Sequence, residues 1–534
     1  MISAYTGTQV RTAEEPLLAD GLGDVLMQRA AHGLATAVVH ELTARGTRLN
    51  GARVVVLAGK GNNGGDGLYA GAFLAGRGMR TTAVLTGDAA HPAGLAAFER
   101  AGGRVHRLTD AARPELVAET ARADVVIDAV LGTGAKGGLR GSAAGLVEAV
   151  SDADRRGVVV ACDLPSGVDA DTGEASAPVL PADVTVTFGG AKAGLLADPG
   201  ADYAGRVLVV PIGIEEHLPQ APLHLPQAPL HRLEDADLAH LLPHPQRRAQ
   251  KYSRGVLGVV AGSEDYPGAA VLACRGALAA GVGMVRYLGP SSVADLVRQS
   301  CPEVVCSTGR VADNRVQAWL VGSGMGPQDH EQLARARDAI DSGLPVVADA
   351  GALPALPDSL APHMVLTPHA GELASLFQRL GGGEDREAVE AATLGAVRQA
   401  AARTGATVLL KGATTLVAAP SGSTFSQADG TPWLATAGSG DVLAGVIGAL
   451  LAQAGPDVGR FSEVGIGEDA RWAALAALGA ALHGRAGRAA SEAVFGGPIA
   501  AGGIADALPE VWGKVSMLSN YGARKRNSHS QPLR

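Results

Sequence analysis

The sequence predicts two α/β domains, each built on a mainly parallel sheet, and three observations predict it. The chain has 534 residues, more than one hydrophobic core usually organises. Short Val-rich runs alternate with longer helix-compatible stretches, first from Arg53 to about Val210 and again from Gly255 onward; that alternation is the mark of βα units. Between the two series, Pro219 to His231 read PQAPLHLPQAPLH, a proline-rich tandem repeat suited to an extended linker. The expected division is therefore 1–218, a linker at 219–231, and 232–515.

Taken in order, Leu17 to Arg45 reads as helices packed on the first sheet. RVVVLA, TTAVLT, DVVIDAVL, GVVVACD, DVTVTF and RVLVV supply its strands. After the linker come GVLGVVAG, MVRYL, WLVGSG, PVVADA, MVLTP and TVLLKG, then an Ala-rich helical region from Ser439. Residues 516–534 are polar, contain ARKRN, and read as a fraying tail.

Composition narrows the function. With 47% hydrophobic residues, 18% charged and a formal net charge of -8, the chain is globular and has no basic excess for nucleic acid. Cys162, Cys274, Cys301 and Cys306 lack metal-site or CxxC spacing, which fits a reducing cytoplasm. The N-terminus has no signal pattern, and the most apolar helical stretch, Val442 to Ala452, is too short to span a bilayer. These features fit a globular cytoplasmic protein without membrane or nucleic-acid partners; a homo-oligomer is expected.

The first candidate site begins at GKGNNGGDG, Gly59 to Gly67, between a strand and an apolar helix. Glycines there let the backbone approach a ligand, and the helix start offers free N–H groups to a phosphate. The spacing matches neither a dinucleotide GxGxxG fingerprint nor a Walker loop. Asp128 leads into GTGAKGG and Asp163 opens DLPSGVDADTG, both after strands of the same sheet. Ligands of open parallel sheets gather at those strand ends. Asn63, Asp128 and Ser166 offer hard oxygens for a cation, and Asp163 is placed for acid–base work.

In this order and spacing the three loops resemble the N-terminal domain of the YjeF family, the epimerase of hydrated nicotinamide dinucleotides (NADHX and NADPHX). The resemblance spans about the first 215 residues and implies a Rossmann-like three-layer domain. It places the substrate on Asn62, Asn63, Gly64, Gly65 and Asp66, on Gly132, Thr133, Gly134, Ala135, Lys136, Gly137 and Gly138, and on Asp163, the implied acid–base residue. It places potassium on Asn63, Asp128 and Ser166.

The second candidate site centres on TAGSGDVLAG, Thr436 to Gly445. Gly438 to Gly440 can aim N–H groups at a transferring phosphoryl while Asp441 takes the proton of an attacking hydroxyl. LLKGATTLV puts Lys411 at a strand end just upstream, and GSGMGP and LTPHAGEL add polar loops. With AQKYSRG and YPGAAVLA, these segments resemble the ribokinase-like superfamily, and within it the C-terminal YjeF domain, the nucleotide-dependent NAD(P)HX dehydratase. That resemblance runs from about Gln250 to Trp512. It implies that Ala269, Gly324, His369 and Asp441 touch the hydrated dinucleotide, with Asp441 catalytic. It puts the nucleotide on Lys411, Gly412, Ala413, Thr414, Thr415 and Gly440. ADP, with Mg²⁺, is the implied co-substrate. One departure stands out: the family commonly reads Asp-Ala-Asp after the strand at Pro345, and this chain has Gly351 in place of the second acid.

Two other readings compete. The second domain can be a small-molecule kinase of the thiazole or pyrimidine type, against which TPHAGE and the preceding domain argue. The first can be a catalytically silent binding module, against which Asn63, Asp128 and Asp163 together argue.

Overall fold

The computed structural model describes residues 1–219, 230–307, 309–357 and 359–528. By contacts the chain divides into two compact units, Ser3–Gln220 and Ala221–Arg534, the latter with Met1–Ile2. Most of the expected linker, 220–229, lies outside the described residues.

In the N-terminal unit seven parallel strands run, across the sheet, Arg104–Arg107, Arg80–Leu85, Arg53–Ala58, Val125–Ala129, Val158–Cys162, Val184–Phe188 and Arg206–Val210. Alternate residues of a strand face opposite sides, and here both sides are apolar. Val54, Val56 and Ala58 join one core with Leu34, Val38 and Leu68, from the helices Gly23–Ala44 and Asn62–Gly76. Val55 and Leu57 join a second core with Leu116, Leu146 and Val150, from Arg113–Ala121 and Gly141–Asp152. Three layers follow from that sequence pattern. The strand order reverses between Arg53–Ala58 and Val125–Ala129, and a crevice opens at such a switch point.

In the C-terminal unit seven strands pair in parallel in the order Val305–Ser307, Met284–Leu288, Val256–Val260, Ala318–Val321, Val346–Ala348, Met364–Leu366, Thr407–Leu410. An antiparallel hairpin, Thr415–Ala418 with Thr424–Gln427, extends the sheet, and Leu230–Arg232 adds in parallel to its far strand. The helix Ser439–Ala454 is buried along nearly its whole length. Its Gly445 lies against the Ala273 carbonyl, where an added Cβ would come within 2.2 Å, and Gly276 of the helix Pro267–Ala279 meets the Val442 carbonyl in the same way. Paired glycines thus let two helix backbones touch beneath the second candidate site.

The last helix, Ala501–Ser528, carries the backbone well past Ser516 into the stretch whose polar composition predicts a tail; residues 529–534 lie outside the described residues. Seven strands among the described residues fall outside the expected runs: the polar edge strand Arg104–Arg107, Ile2–Tyr5, Ala191–Lys192, Leu230–Arg232, Val305–Ser307, Thr415–Ala418 and Thr424–Gln427. Among the described residues no helix is long and apolar enough to cross a membrane.

Candidate active sites

At the N-terminal switch point the backbone is packed so closely that only glycine fits. A Cβ on Gly59 would lie 2.0 Å from the Val130 carbonyl, and one on Gly64 would lie 2.0 Å from that of Gly59. The helix Asn62–Gly76 starts from Gly61 without a side-chain cap, so its first-turn N–H groups stay free for an anion.

Asp128 ties the next two loops together. Fully buried, it accepts hydrogen bonds from the Ser166 hydroxyl at 2.6 Å, the Ser166 N–H at 2.8 Å and the Val130 N–H at 3.3 Å. Ser166 in turn accepts from the Leu131 N–H at 2.8 Å. Burial pushes the Asp128 carboxyl up, opposed by the Ser166 and Val130 bonds. The Asn63 amide has its oxygen and nitrogen buried without hydrogen-bond partners, pressed against Gly132, whose Cβ would sit 2.9 Å from the amide carbon.

Asp163 sits just past its strand with φ 68°, a conformation that costs a non-glycine residue energy and is held by its surroundings. It receives the Thr133 N–H at 3.0 Å, the Thr133 hydroxyl, the Thr187 hydroxyl at 3.2 Å and the Lys192 ammonium at 2.6 Å. Lys192 is 1% exposed and also donates to the Thr187 hydroxyl and the Phe188 carbonyl. Burial pushes the Asp163 carboxyl up, but Lys192 and the Thr133 donors outweigh it and hold the group below its usual range. Asp66, also buried, is pushed well above the carboxylate range by burial, then by Asp163 and Glu14, against Lys192. Gly134, Ala135, Lys136 and Gly137 form the exposed outside of their loop, and Asn62 is exposed as well.

Lys192, Thr187 and Glu14 were missed from sequence. The available signal was one lysine inside the apolar stretch VTVTFGGAKAGLLA, since a charge in a buried segment requires a partner.

In the C-terminal unit Gly438, at φ 87°, turns the chain into the helix whose first turn carries Asp441. The Lys411 ammonium abuts Gly440, where a Cβ would lie 3.6 Å away, and bridges Asp349 at 3.0 Å and Glu372 at 3.7 Å. Asp349, 2% exposed, also accepts from the Ser323 hydroxyl at 3.0 Å and the Thr367 hydroxyl at 2.7 Å. Burial and then Asp349 raise the Asp441 carboxyl to about 6, against Ser323 and Lys411. The fold thus gathers Lys411, Gly440 and Asp441.

His369 caps the helix Ala370–Arg379: its ring Nδ1 accepts from the Gly371 and Glu372 N–H groups, and Glu372 accepts the His369 N–H at 2.8 Å. Its N–H-bearing backbone lies beside Lys411 at the neighbouring strand end. Gly324, at φ 67°, packs on Ala269, whose Cβ would lie 2.4 Å from a Cβ added there. Gly412 and Ala413 are exposed, Thr414 is buried, and Thr415 begins a strand. Glu372, Ser323 and Thr367 were not singled out from sequence. Nor was His483, buried with Nε2 3.0 Å from the Ser439 carbonyl. Glu372 closes a capping box on His369, but the usual sequence mark of that box has Ser, Thr, Asp or Asn at the cap, so His369 gave no such signal.

Two α/β units, each with glycine loops and a buried carboxylate at its strand ends, define a two-site enzyme of small phosphorylated ligands. Residues 23–194 match the family model for the YjeF-related protein N-terminus, and residues 257–508 the model for NAD(P)H-hydrate dehydratase. A bifunctional NAD(P)H-hydrate repair enzyme of Mycobacterium tuberculosis is 44% identical over 463 residues, covering 85% of this chain and 89% of that protein. One from Corynebacterium glutamicum is 34% identical, covering 97% and 99%. Among solved structures, a Bacillus subtilis ADP/ATP-dependent NAD(P)H-hydrate dehydratase co-crystallised with ATP and Mg²⁺ is 26% identical with a TM-score of 0.45, covering 54% of this chain and 99% of that one. The chain belongs to the family of bifunctional NAD(P)H-hydrate repair enzymes.

Proposed function

We propose that the N-terminal unit interconverts the R and S forms of NAD(P)HX, and that the C-terminal unit dehydrates the S form to NAD(P)H while ADP gives AMP and phosphate. The observation that carries this reading is Asp441 on the first turn of a buried helix, between the Gly438–Gly440 backbone and Lys411. A carboxyl raised to about 6 is a serviceable base near neutrality. It takes the proton of the C6 hydroxyl as that oxygen attacks the terminal phosphoryl of ADP. The first-turn N–H groups and Lys411 hold the phosphoryl oxygens. The ring nitrogen lone pair then expels phosphate from C6, and loss of a proton from C5 restores the dihydronicotinamide ring. Ala269, Gly324 and His369 are assigned to the dinucleotide, and Gly412 to Thr415 to the nucleotide. No group of three or more His, Cys, Asp or Glu among the described residues suits a metal; Mg²⁺ accompanying the nucleotide would be held chiefly through phosphate and water.

In the first unit the residues present fit a large monovalent cation. The Asn63 amide lacks a partner, and the buried Asp128 has no ion pair among the described residues. Asn63, Asp128 and Ser166 would hold potassium, which would offset the Asp128 charge and fix the glycine loops. Asp163, kept ionised by Lys192, accepts a proton from substrate. The four cysteines are free, the state a reducing cytoplasm maintains, and we retain that location and a homo-oligomer in the reading.

The test is absorbance recovered at the dihydronicotinamide band when the chain meets mixed hydrates with ADP, ATP or no nucleotide. Recovery of both epimers with ADP and none without nucleotide is expected. A phosphorylated product without the chromophore would overturn it in favour of a small-molecule kinase.

A further inference from the structure

The N-terminal crevice contains a second buried carboxyl in a different setting from Asp163. Asp66 stands on the second turn of the helix Asn62–Gly76, is 9% exposed, and accepts no hydrogen bond from any described residue. Asp163 takes four. The charged groups acting on Asp66 come from three other elements: Asp163 after its strand, Glu14 on the helix Gly7–Ala19, and Lys192 on the short strand Ala191–Lys192. The strands that lead to Asp66 and Asp163, Arg53–Ala58 and Val158–Cys162, flank the central strand Val125–Ala129. Neighbouring strands lie about 4.8 Å apart, so the two carboxyls are rooted on opposite sides of the Asp128 loop.

We propose that Asp66 is a second catalytic carboxyl of this crevice, paired with Asp163 across the hydrated ring carbon, so that the two share one proton and pass it through the substrate. This rests on the reading that the unit epimerises hydrated nicotinamide rings. Asp66 protonates the C6 hydroxyl. The C6–O bond breaks, its electron pair leaves with water, and the ring nitrogen lone pair closes a C=N bond. Water then attacks C6 from the other face; the C=N pair returns to nitrogen and the released proton goes to Asp163. The reverse inversion uses the other arrangement of the same proton. The environments suit this division, with Asp163 hydrogen-bonded by four donors that favour its carboxylate and Asp66 without a donor among the described residues and pushed toward its protonated form by burial and two like charges. Two carboxyls with environments that push them apart are the usual basis for an acid and a base in one site.

The experiment follows purified R hydrate to S hydrate with the full chain across pH, in wild type, Asp66→Asn and Asp66→Glu. The melting transition of the N-terminal unit in each variant serves as the control for folding, and S-hydrate dehydration as the control for the other site. In wild type a bell-shaped profile is expected, falling at low pH as Asp163 is protonated and at high pH as Asp66 ionises, with solvent ¹⁸O entering the C6 hydroxyl on inversion. Asp66→Asn should lower kcat by about 10²- to 10⁴-fold with KM little changed, and Asp66→Glu should recover part of the rate and the high-pH limb. A rate in Asp66→Asn within threefold of wild type, or an effect on KM alone, overturns the pair and leaves the epimerase reading standing. A wild-type chain that leaves R hydrate untouched removes that reading, and the pair with it.

Discussion

Asp163 and Asp441 are the same residue type in opposite electrostatic settings, and the difference decides what each can do. Asp441 sits near Asp349 and is raised to about 6, so its carboxylate is poorly stabilised in the fold. A carboxyl that titrates near 4 when unfolded and near 6 when folded favours the protonated fold. The fold then loses up to about 3 kcal/mol as pH rises through that window. Asp441→Asn should therefore raise the melting temperature at pH 8, with no gain below pH 4, while dehydration falls about 10²- to 10⁴-fold through loss of the base. In wild type the dehydration rate should climb as pH passes about 6. A variant within threefold of wild type, or an unchanged melting temperature at pH 8, contradicts the assignment. Asp163→Asn should stop use of R hydrate and spare S hydrate; equal loss on both would refute the separation of the sites. Gly351 shows how backbone space can settle a motif departure: a Cβ there would lie 2.2 Å from the Met325 carbonyl. Gly351→Asp should destabilise the fold, by about 1–3 kcal/mol for overpacking, and a melting temperature equal to wild type would refute the steric account. Residues inside glycine motifs were legible in sequence because their spacing carries the chemistry. Lys192 and Glu372 were not, because each depends on a partner far along the chain, Asp163 at 2.6 Å and Lys411 at 3.7 Å.

Among the elements, strands buried on both faces declared themselves as continuous Val-rich runs, as Arg53–Ala58 and Val158–Cys162 do. The strand Arg104–Arg107, at the edge, has an exposed, charged sequence and gives no such signal. Thr424–Gln427 is wholly buried yet rich in polar residues, and its pairing with Thr415–Ala418 on one side and Leu230–Arg232 on the other explains it as a strand. The glycine loops were legible as loops, but the bonds that tie them were not: Asp128 joins them through Ser166 across 38 residues. On the proposed reading a neutral amide, one carboxylate and a hydroxyl would make a low-charge cage, which would suit potassium better than strongly hydrated Mg²⁺. Epimerisation measured against potassium at constant ionic strength, with sodium as replacement, should rise and saturate, and Asp128→Ala should weaken that response most. A flat response in wild type, or an unchanged one in Asp128→Ala, would make the Asp128–Ser166 contact a loop junction only.

At the scale of the whole molecule the two sites lie in units with separate cores. Leu34, Val38, Leu57 and Val126 belong to the cores of one, and Leu257, Leu320, Ile447 and Leu478 to that of the other. The division between Gln220 and Ala221 falls inside the proline-rich stretch 219–231, the segment whose composition marked the boundary in sequence. Units with their own cores can fold alone. Cutting the chain within 219–231 should then give two soluble fragments, each with a single cooperative melting transition. The C-terminal fragment alone should recover the dihydronicotinamide absorbance from S hydrate with ADP and leave R hydrate to its uncatalysed inversion. The N-terminal fragment alone should recover none. Mixing them should restore rapid use of R hydrate, because the S hydrate that links the two reactions is a free small molecule and can diffuse from one fragment to the other. Light scattering and the same absorbance assay decide the matter. Aggregation of either fragment would mean that its core is incomplete without the other, and soluble fragments whose mixture is no faster on R hydrate than the C-terminal fragment alone would mean that the two activities depend on one covalent chain.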